Sequence, residues 1–363
     1  MFRISRYLHA LNSDAPPRKA PAPTGPVVIW NLVRRCNLTC KHCYATSADK
    51  DFPGELSTEQ VFAVMDDLRA YGVSVLILSG GEPLMRPDLF EIAGRAKSLG
   101  FYIGLSTNGT LIGPDNLSAI VEADFDYVGI SLDGLRETHD RFRRRAGAFD
   151  DALRGIRLCR DAGLKVGMRF TLTRDNAAEL PDLLRLMDDE GIAKFYLSHL
   201  NYAGRGYRNR GDDLHHRMTR HAMDLLFDVC WDDATAGRQR EFVTGNNDAD
   251  GAWLLLWAER TIPGQVPRLR TMLERWGGNA SGVNIANIDN EGRVHPDTMW
   301  WDYGLGKVTE RPFSAIWEDR SDPLMAGLKQ RQRPLEGRCA GCRYLAICNG
   351  NSRTRAWRLT GNP

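Results

Sequence analysis

Six short β-rich runs, alternating with amphipathic helical stretches, constrain this chain more than any other feature. The runs are VVIWNL (27–32), SVLILS (74–79), YIGLST (102–107), YVGISL (127–132), VGMRFTL (166–172) and FYLSHL (195–200). Helical periodicity fills the gaps, for example at 58–71, 87–99, 149–162 and 177–190. The second of these opens with Pro87, and the fourth has Asn176 in N-cap position. Strands separated by helices pair in parallel through right-handed crossovers, which makes this an α/β chain. Continuous apolar runs suit strands covered by helices on one face and closed on the other by a barrel interior. Six units rather than eight predict a partial (β/α)6 barrel of the TIM type, with an open, doubly wound sheet as the alternative.

The 363 residues are enough for roughly two domains at about 150 residues each. A short N-terminal helix and a stiff tether carrying five prolines occupy 1–26, and the barrel is expected over 27–235. Beyond 236 the alternation breaks down, and a smaller C-terminal domain is expected over 236–363. It contains a hairpin, VNIANIDNEGRVHPD (283–297), turned at Asp289-Asn290-Glu291-Gly292, and a short helix at 313–319. A net charge of +2 provides no field for nucleic acid. The longest apolar runs, at 27–32 and 252–258, fall far short of the ~20 residues a bilayer requires. The opening MFRISRYLHALNSD lacks the apolar core of a secretory signal, so a cytoplasmic protein with no membrane partner is expected.

Eight cysteines are present, and six fall in two groups: Cys36, Cys40, Cys43 and Cys339, Cys342, Cys348. Without an export signal, clustered cysteines read as metal ligands rather than disulfides. Cys159 and Cys230 sit on helical patterns beside apolar residues and read as core. The first group, spaced C-x3-C-x2-C, directly follows the first strand. Three thiolates can hold three irons of a cubane and leave the fourth iron open. A four-coordinate zinc using His42 satisfies the same spacing. The next strands end in Ser79-Gly80-Gly81-Glu82-Pro83, Ser106-Thr107-Asn108-Gly109 and Ser131-Leu132-Asp133-Gly134, and the fifth carries Arg169 and Thr171. Paired glycines allow close approach to the backbone. In a β/α barrel all these endings face the C-terminal mouth, where active sites assemble.

C-x3-C-x2-C followed by Tyr44, with Gly-Gly-Glu-Pro after the second strand, resembles the radical S-adenosylmethionine (SAM) superfamily over about 27–200. The resemblance implies a [4Fe–4S] cluster on Cys36, Cys40 and Cys43 whose open iron chelates SAM. It also implies that Gly80, Gly81 and Glu82 line the methionine ammonium, with Asn108 and Ser131 near the rest of SAM. Cys339-x2-Cys342-x5-Cys348 resembles the SPASM-type extension, which implies one auxiliary [4Fe–4S] cluster; zinc stays open as an alternative there. Asp297 stands where many such proteins have a cysteine, and the chain stops 15 residues after Cys348. Either the sequence is cut short at its C-terminus, or Asp, His, water or substrate fills the fourth position.

The stretches 199–206 and 294–301, and the ending Cys348-Asn-Gly-Asn-Ser-Arg, are similar to the radical SAM enzymes of alternative haem and haem d1 biosynthesis. That resemblance implies an anionic iron tetrapyrrole substrate, 12,18-didecarboxysirohaem. Two propionate side chains would be removed from it through a 5′-deoxyadenosyl radical, on the route to oxo groups. An external one-electron donor of flavodoxin or ferredoxin type is implied as well. The alternatives are a related haem synthase that decarboxylates propionates and a SPASM-type peptide maturase. Arg205, Arg208 and Arg210 are candidates to pair with propionates, and Trp300 and Trp301 to stack on a macrocycle. The run 141–145 reads as a solvated face or a loop clamp. His199 and His295 read as hydrogen-bonded structural residues ahead of axial ligands.

Overall fold

The computed structural model describes residues 1–13, 25–330 and 333–363. Apart from Gly25 and Pro26, the proline tether lies outside the described residues. Eleven strands follow in chain order: β1 (Phe2–Arg3), β2 (Val27–Val33), β3 (Val75–Gly80), β4 (Tyr102–Thr107), β5 (Tyr127–Ser131), β6 (Val166–Leu172), β7 (Lys194–His199), β8 (Glu241–Gly245), β9 (Ile285–Ile288), β10 (Arg293–His295) and β11 (Gly306–Lys307). Among the described residues they form one sheet in the order β1-β8-β7-β6-β5-β4-β3-β2-β9-β10-β11. Neighbours from β8 through β2 to β9 pair in parallel, whereas β1 and the β9–β10–β11 meander pair antiparallel. No ladder joins β8 to β2, so the barrel is partial. All six expected runs are strands, and the turn at 289–292 closes the hairpin with Gly292 N donating to Asp289 O at 3.0 Å.

Helices α1 (Ile4–Leu11), α2 (Thr58–Ala70), α3 (Leu89–Ser98), α4 (Pro114–Glu122), α5 (Arg136–Arg143), α6 (Ala148–Asp161), α7 (Leu180–Asp189), α8 (Gly204–Arg208) and α9 (His216–Thr235) fill the crossovers. The α2 helix starts on a capping box: Ser57 Oγ accepts from Gln60 N, and Ser57 N donates to Gln60 Oε1 at 2.9 Å. Ile4, Leu8 and Leu11 are the buried stripe of α1, which rests on α9 and β8. No helix among the described residues is long and apolar enough to cross a membrane.

Three details differ from the sequence reading. A further parallel strand, β8, lies past residue 236; EFVTG is too short and too polar to announce itself. The 283–297 hairpin joins the barrel's own sheet, because β9 pairs in parallel with β2. Asn176 makes no cap. Its amide donates instead to Asp133 O and Thr171 O at 3.0 and 2.8 Å and ties the end of β6 to the chain leaving β5.

The inward face of the strands follows from the two-residue period. Gly104, Gly129 and Gly167 stand on that face of β4, β5 and β6, and Tyr127 takes the space that side chains at Gly129 and Gly167 would need. A Cβ on Gly129 would lie 2.9 Å from the Tyr127 ring, and one on Gly167 would overlap its hydroxyl. At the floor Glu241 accepts from Lys165 and Lys194 at 2.7 and 3.2 Å, and Lys194 Nζ lies 4.3 Å from the Tyr127 ring centre. Substituting Gly167→Ala is expected to lower stability by about 1–3 kcal/mol, as overpacking does. An unchanged denaturant midpoint would show that Tyr127 does not need this space.

Candidate active site

The loop after β2 carries the first cysteine group, and its seat is made of backbone. Gly81 N donates to Val33 O at 2.6 Å and Glu82 N to Arg35 O at 2.9 Å. A Cβ on Gly80 would overlap Val33 O, and one on Gly81 would overlap Arg35 O. The paired glycines therefore admit the neighbouring strand end, an approach the sequence reading had given to a ligand. On its outer side the loop is held by α8. Arg205 donates from Nε to Cys40 O at 2.7 Å and from Nη2 to Ser47 O at 2.9 Å, while Asn209 Nδ2 reaches Lys41 O at 2.7 Å. Gly204 has φ +52°, and a Cβ there would overlap Tyr44 O.

Cys36 and Cys40 are buried and Cys43 half-buried, on one wall of a 560 Å³ cavity. Cys36 Sγ accepts from Leu38 N at 3.4 Å and lies 3.9 Å from Asn108 Nδ2. Cys40 Sγ accepts from Arg143 Nη1 at 3.5 Å. Burial, with Glu82 behind it, pushes the Cys36 thiol up to about 12. A thiolate there is stable only on iron or another cation.

Arg143 is the buried member of the arginine run and acts as a clamp. Besides Cys40 it bonds Asp133, which is wholly buried. Burial alone would raise the Asp133 carboxyl, but the Arg143 guanidinium beside it holds it below the usual carboxylate range. Asp133 Oδ1 also accepts from Thr171 N at 2.7 Å, and Asp133 N donates to His139 Nδ1 at 2.9 Å. Burial lowers His42 to about 4 and His139 to about 3, so both rings are neutral near pH 7.

Gly80, Gly81, Asn108 and Ser131 line the cavity with the cysteines. Glu82 does not. Its carboxylate is fully buried and accepts from Thr107 Oγ1 at 2.6 Å, Asn108 N at 2.8 Å and Leu84 N at 3.2 Å. Burial raises its pKa against these three donors. They already satisfy the carboxylate, so it braces the wall instead of facing the cavity.

The zinc alternative fits poorly. Among the described residues no three His, Cys, Asp or Glu side chains converge to hold a single metal ion. His42 packs its ring on Phe142 at 4.5 Å. Three cysteines on one cavity wall, with donors at two of their sulfurs, suit a [4Fe–4S] cubane, which takes one cysteine per iron.

The second cysteine group is more open. Cys342 is exposed, Cys339 and Cys348 are half-buried, and Cys348 O accepts from Asn279 N at 3.2 Å. Asp297 lines the main cavity, where Ser281 Oγ and Met299 N donate to it, and burial raises its carboxyl.

Other candidates lie elsewhere than expected. Arg205 is committed to the cysteine loop, Arg208 and Arg210 are exposed, and none of the three lines the cavity. Trp300 is core against Trp357 at 4.9 Å, and Trp301 stacks on His295 at 6.0 Å. His295 is held by Tyr303 O at 2.8 Å and Asp289 at 3.2 Å, a structural role. His199 does face the cavity, with Nε2 2.9 Å from Asp250. Sequence reasoning missed the inward pair Tyr127 and Tyr196, which the two-residue period along β5 and β7 marks.

A match to the radical SAM superfamily covers residues 30–187. The chain is 54% identical to the pre-heme d1 synthase of Dinoroseobacter shibae, over 100% of this chain and 90% of that one. It is 44% identical to the Fe-coproporphyrin III synthase of Methanosarcina barkeri, over 93% and 85%. The fold is similar to Streptococcus suis SuiB bound to S-adenosylmethionine, with a TM-score of 0.69 and 16% identity over 91% of this chain and 74% of that one.

Removing Arg143 leaves Asp133 as an uncompensated buried charge, so Arg143→Met is expected to cost about 3–5 kcal/mol. Adding Asp133→Asn should restore much of that loss in denaturant unfolding; equal destabilisation of single and double variants would refute the clamp. In the unsubstituted protein the pair's contribution is present above the unfolded carboxyl pKa of about 4. It is lost as pH falls through the depressed folded value.

Proposed function

This chain belongs to the radical SAM superfamily, and on that premise we propose that it modifies an iron tetrapyrrole as an enzyme of haem d1 biosynthesis. The observation that carries the reading is one cavity shared by three cysteines and the strand ends beside them. The chain around it matches a pre-heme d1 synthase along its whole length. In this reading Cys36, Cys40 and Cys43 hold a [4Fe–4S] cluster and Cys339, Cys342 and Cys348 an auxiliary one within 236–363. The chemistry supplied by the first cluster when bound is one-electron cleavage of SAM to methionine and a 5′-deoxyadenosyl radical.

The chain's own residues bind and orient. Arg143 and Asn108 offer hydrogen bonds to cysteine sulfurs, which tune the potential of any cluster held there. Gly80 and Gly81, seated against the β2 end, line the cavity where SAM binds, and Asn108 and Ser131 adjoin the remainder of it. Glu82 acts from behind by holding Thr107 and Asn108 in place. The cavity walls exclude water from a reactive species. The substrate is 12,18-didecarboxysirohaem, from which two propionates are removed, and the electron comes from a flavodoxin- or ferredoxin-type donor. The likeness to an Fe-coproporphyrin III synthase favours a second reading, a related haem synthase that decarboxylates the propionates of a porphyrin.

Anaerobic reconstitution followed by electron paramagnetic resonance should give a reduced [4Fe–4S] signal that shifts when SAM is added. The triple variant Cys36→Ala, Cys40→Ala, Cys43→Ala should release no 5′-deoxyadenosine; continued SAM cleavage would sink the assignment. With 12,18-didecarboxysirohaem, the product mass should show loss of two propionate arms. Loss of other groups would favour the second reading.

A further inference from the structure

Positive charge is concentrated outside the cavity, on the segment that backs the first cysteine group. Residues 204–221 hold five arginines and three histidines against two aspartates, whereas the whole chain nets only +2. Arg208, Arg210, Arg217 and Arg220 are exposed, as are His215, His216 and His221. Among the described residues none of these four arginines makes an ion pair, and the nearby acids are committed elsewhere. Asp212 lies 3.8 Å from Arg174, and Asp213 accepts from Arg355 at 2.7 Å and Tyr202 at 2.9 Å. Asp224, one turn past Arg220, accepts from Trp253 and Arg260, each at 2.9 Å. Aromatic rings support two of the arginines instead. Arg210 lies 4.8 Å from the Tyr207 ring centre, which Arg358 also approaches at 5.4 Å, and Arg220 lies 5.0 Å from that of Trp253. Rings hold a guanidinium without cancelling its charge.

Composition and position separate this face from an ordinary solvated one. Protein interfaces favour arginine, methionine and aromatic residues and disfavour lysine and glutamate. The segment 204–221 has no lysine and no glutamate. Met218 is 38% exposed on α9, between Arg217 and the rest of that turn. The segment also starts on the cysteine loop itself. Arg205 N donates to Cys43 O at 2.9 Å, and Asn209 Nδ2 to Lys41 O at 2.7 Å. An electron bound for a cluster on these cysteines has to come from a carrier outside the cavity wall. Such encounters are brief and bury little surface, so they rely on steering by charge more than on apolar contact. A basic face therefore calls for an acidic carrier.

We propose that the arginine face formed by α8 and the first turns of α9 is the docking surface for an acidic one-electron carrier protein. The carrier gives up one electron, and the cluster held by Cys36, Cys40 and Cys43 gains it; no bond in this chain forms or breaks. The assignment rests on the cluster reading above and adds to it the face through which the electron enters.

The test uses the reconstituted holoenzyme, with flavodoxin as the probe and dithionite as the small reductant that needs no docking. Two charge-reversed variants are compared with the unsubstituted protein: Arg208→Glu with Arg210→Glu, and Arg217→Glu with Arg220→Glu. Binding of oxidised flavodoxin is followed by calorimetry, and release of 5′-deoxyadenosine is driven by reduced flavodoxin or by dithionite. Each reversal is expected to weaken flavodoxin binding about tenfold or more at low salt and to slow the flavodoxin-driven release to match. Release driven by dithionite should stay within twofold. Binding to the unsubstituted protein should fall steeply as salt rises, and the gap between the proteins should close with it. Flavodoxin binding within twofold in variants with unchanged thermal unfolding would overturn the proposal, and so would the absence of binding to the unsubstituted protein. Loss of 12,18-didecarboxysirohaem binding with flavodoxin binding intact would also overturn it and assign the charge to substrate capture. If dithionite drives no SAM cleavage in the unsubstituted protein, the cluster reading fails, and the calorimetry alone decides for or against the docking face.

Discussion

The buried pair between Arg143 and Asp133 is the contact on which the site depends. Asp133 stands just past β5, receives Thr171 N from the end of β6, and has its own carbonyl tied down by Asn176. Arg143 ends α5 and carries its charge across to Cys40. One ion pair therefore registers two strand ends, one helix and the cysteine loop against each other. Neither charge is tolerable alone at this depth, which makes the arrangement all-or-none. Of its neutral histidine neighbours, His139 accepts from Asp133 N, and neither ring brings a competing charge.

A second constraint works through absent side chains. The cysteine loop lies against β3 and α8 so closely that no Cβ fits at Gly80, Gly81 or Gly204. Hydrogen bonds from Gly81 N, Glu82 N and Arg205 then reach carbonyls of the same loop. The loop owes its shape to these main-chain contacts, and only two of its cysteine sulfurs receive side-chain donors. Glu82 extends the same logic one layer back by fixing Thr107 and Asn108, so the wall nearest the cysteines is rigid from behind.

Much of this was legible in the amino-acid order. Apolar runs marked the six strands because a strand covered on both faces has no polar alternation to lose, and the spacing of Cys36, Cys40 and Cys43 pointed to the family. What stayed hidden has physical causes. Arg205 looked free for a ligand because its partners are main-chain oxygens, which every residue has and no sequence advertises. In the run at 141–145, only the phase and end of α5 decide that Arg143 turns inward and Arg144, at φ +58°, turns out. The β8 strand was missed because its five residues are held by pairing with β7 and β1 on either side rather than marked by apolar content of their own.

The parallel pairing of β9 with β2 has a consequence for how the protein is made. Asn287 Nδ2 donates to Ile29 O across 258 positions of chain. At a synthesis rate of about 5–20 residues per second, β2 waits roughly 10–50 s on the ribosome before its second neighbour exists. During that interval an apolar strand has an unsatisfied edge, the kind of surface that recruits wrong partners. Closure by such distant segments also makes folding slow. Yield in a foreign host is therefore expected to depend on translation speed and on chaperone supply before it depends on iron.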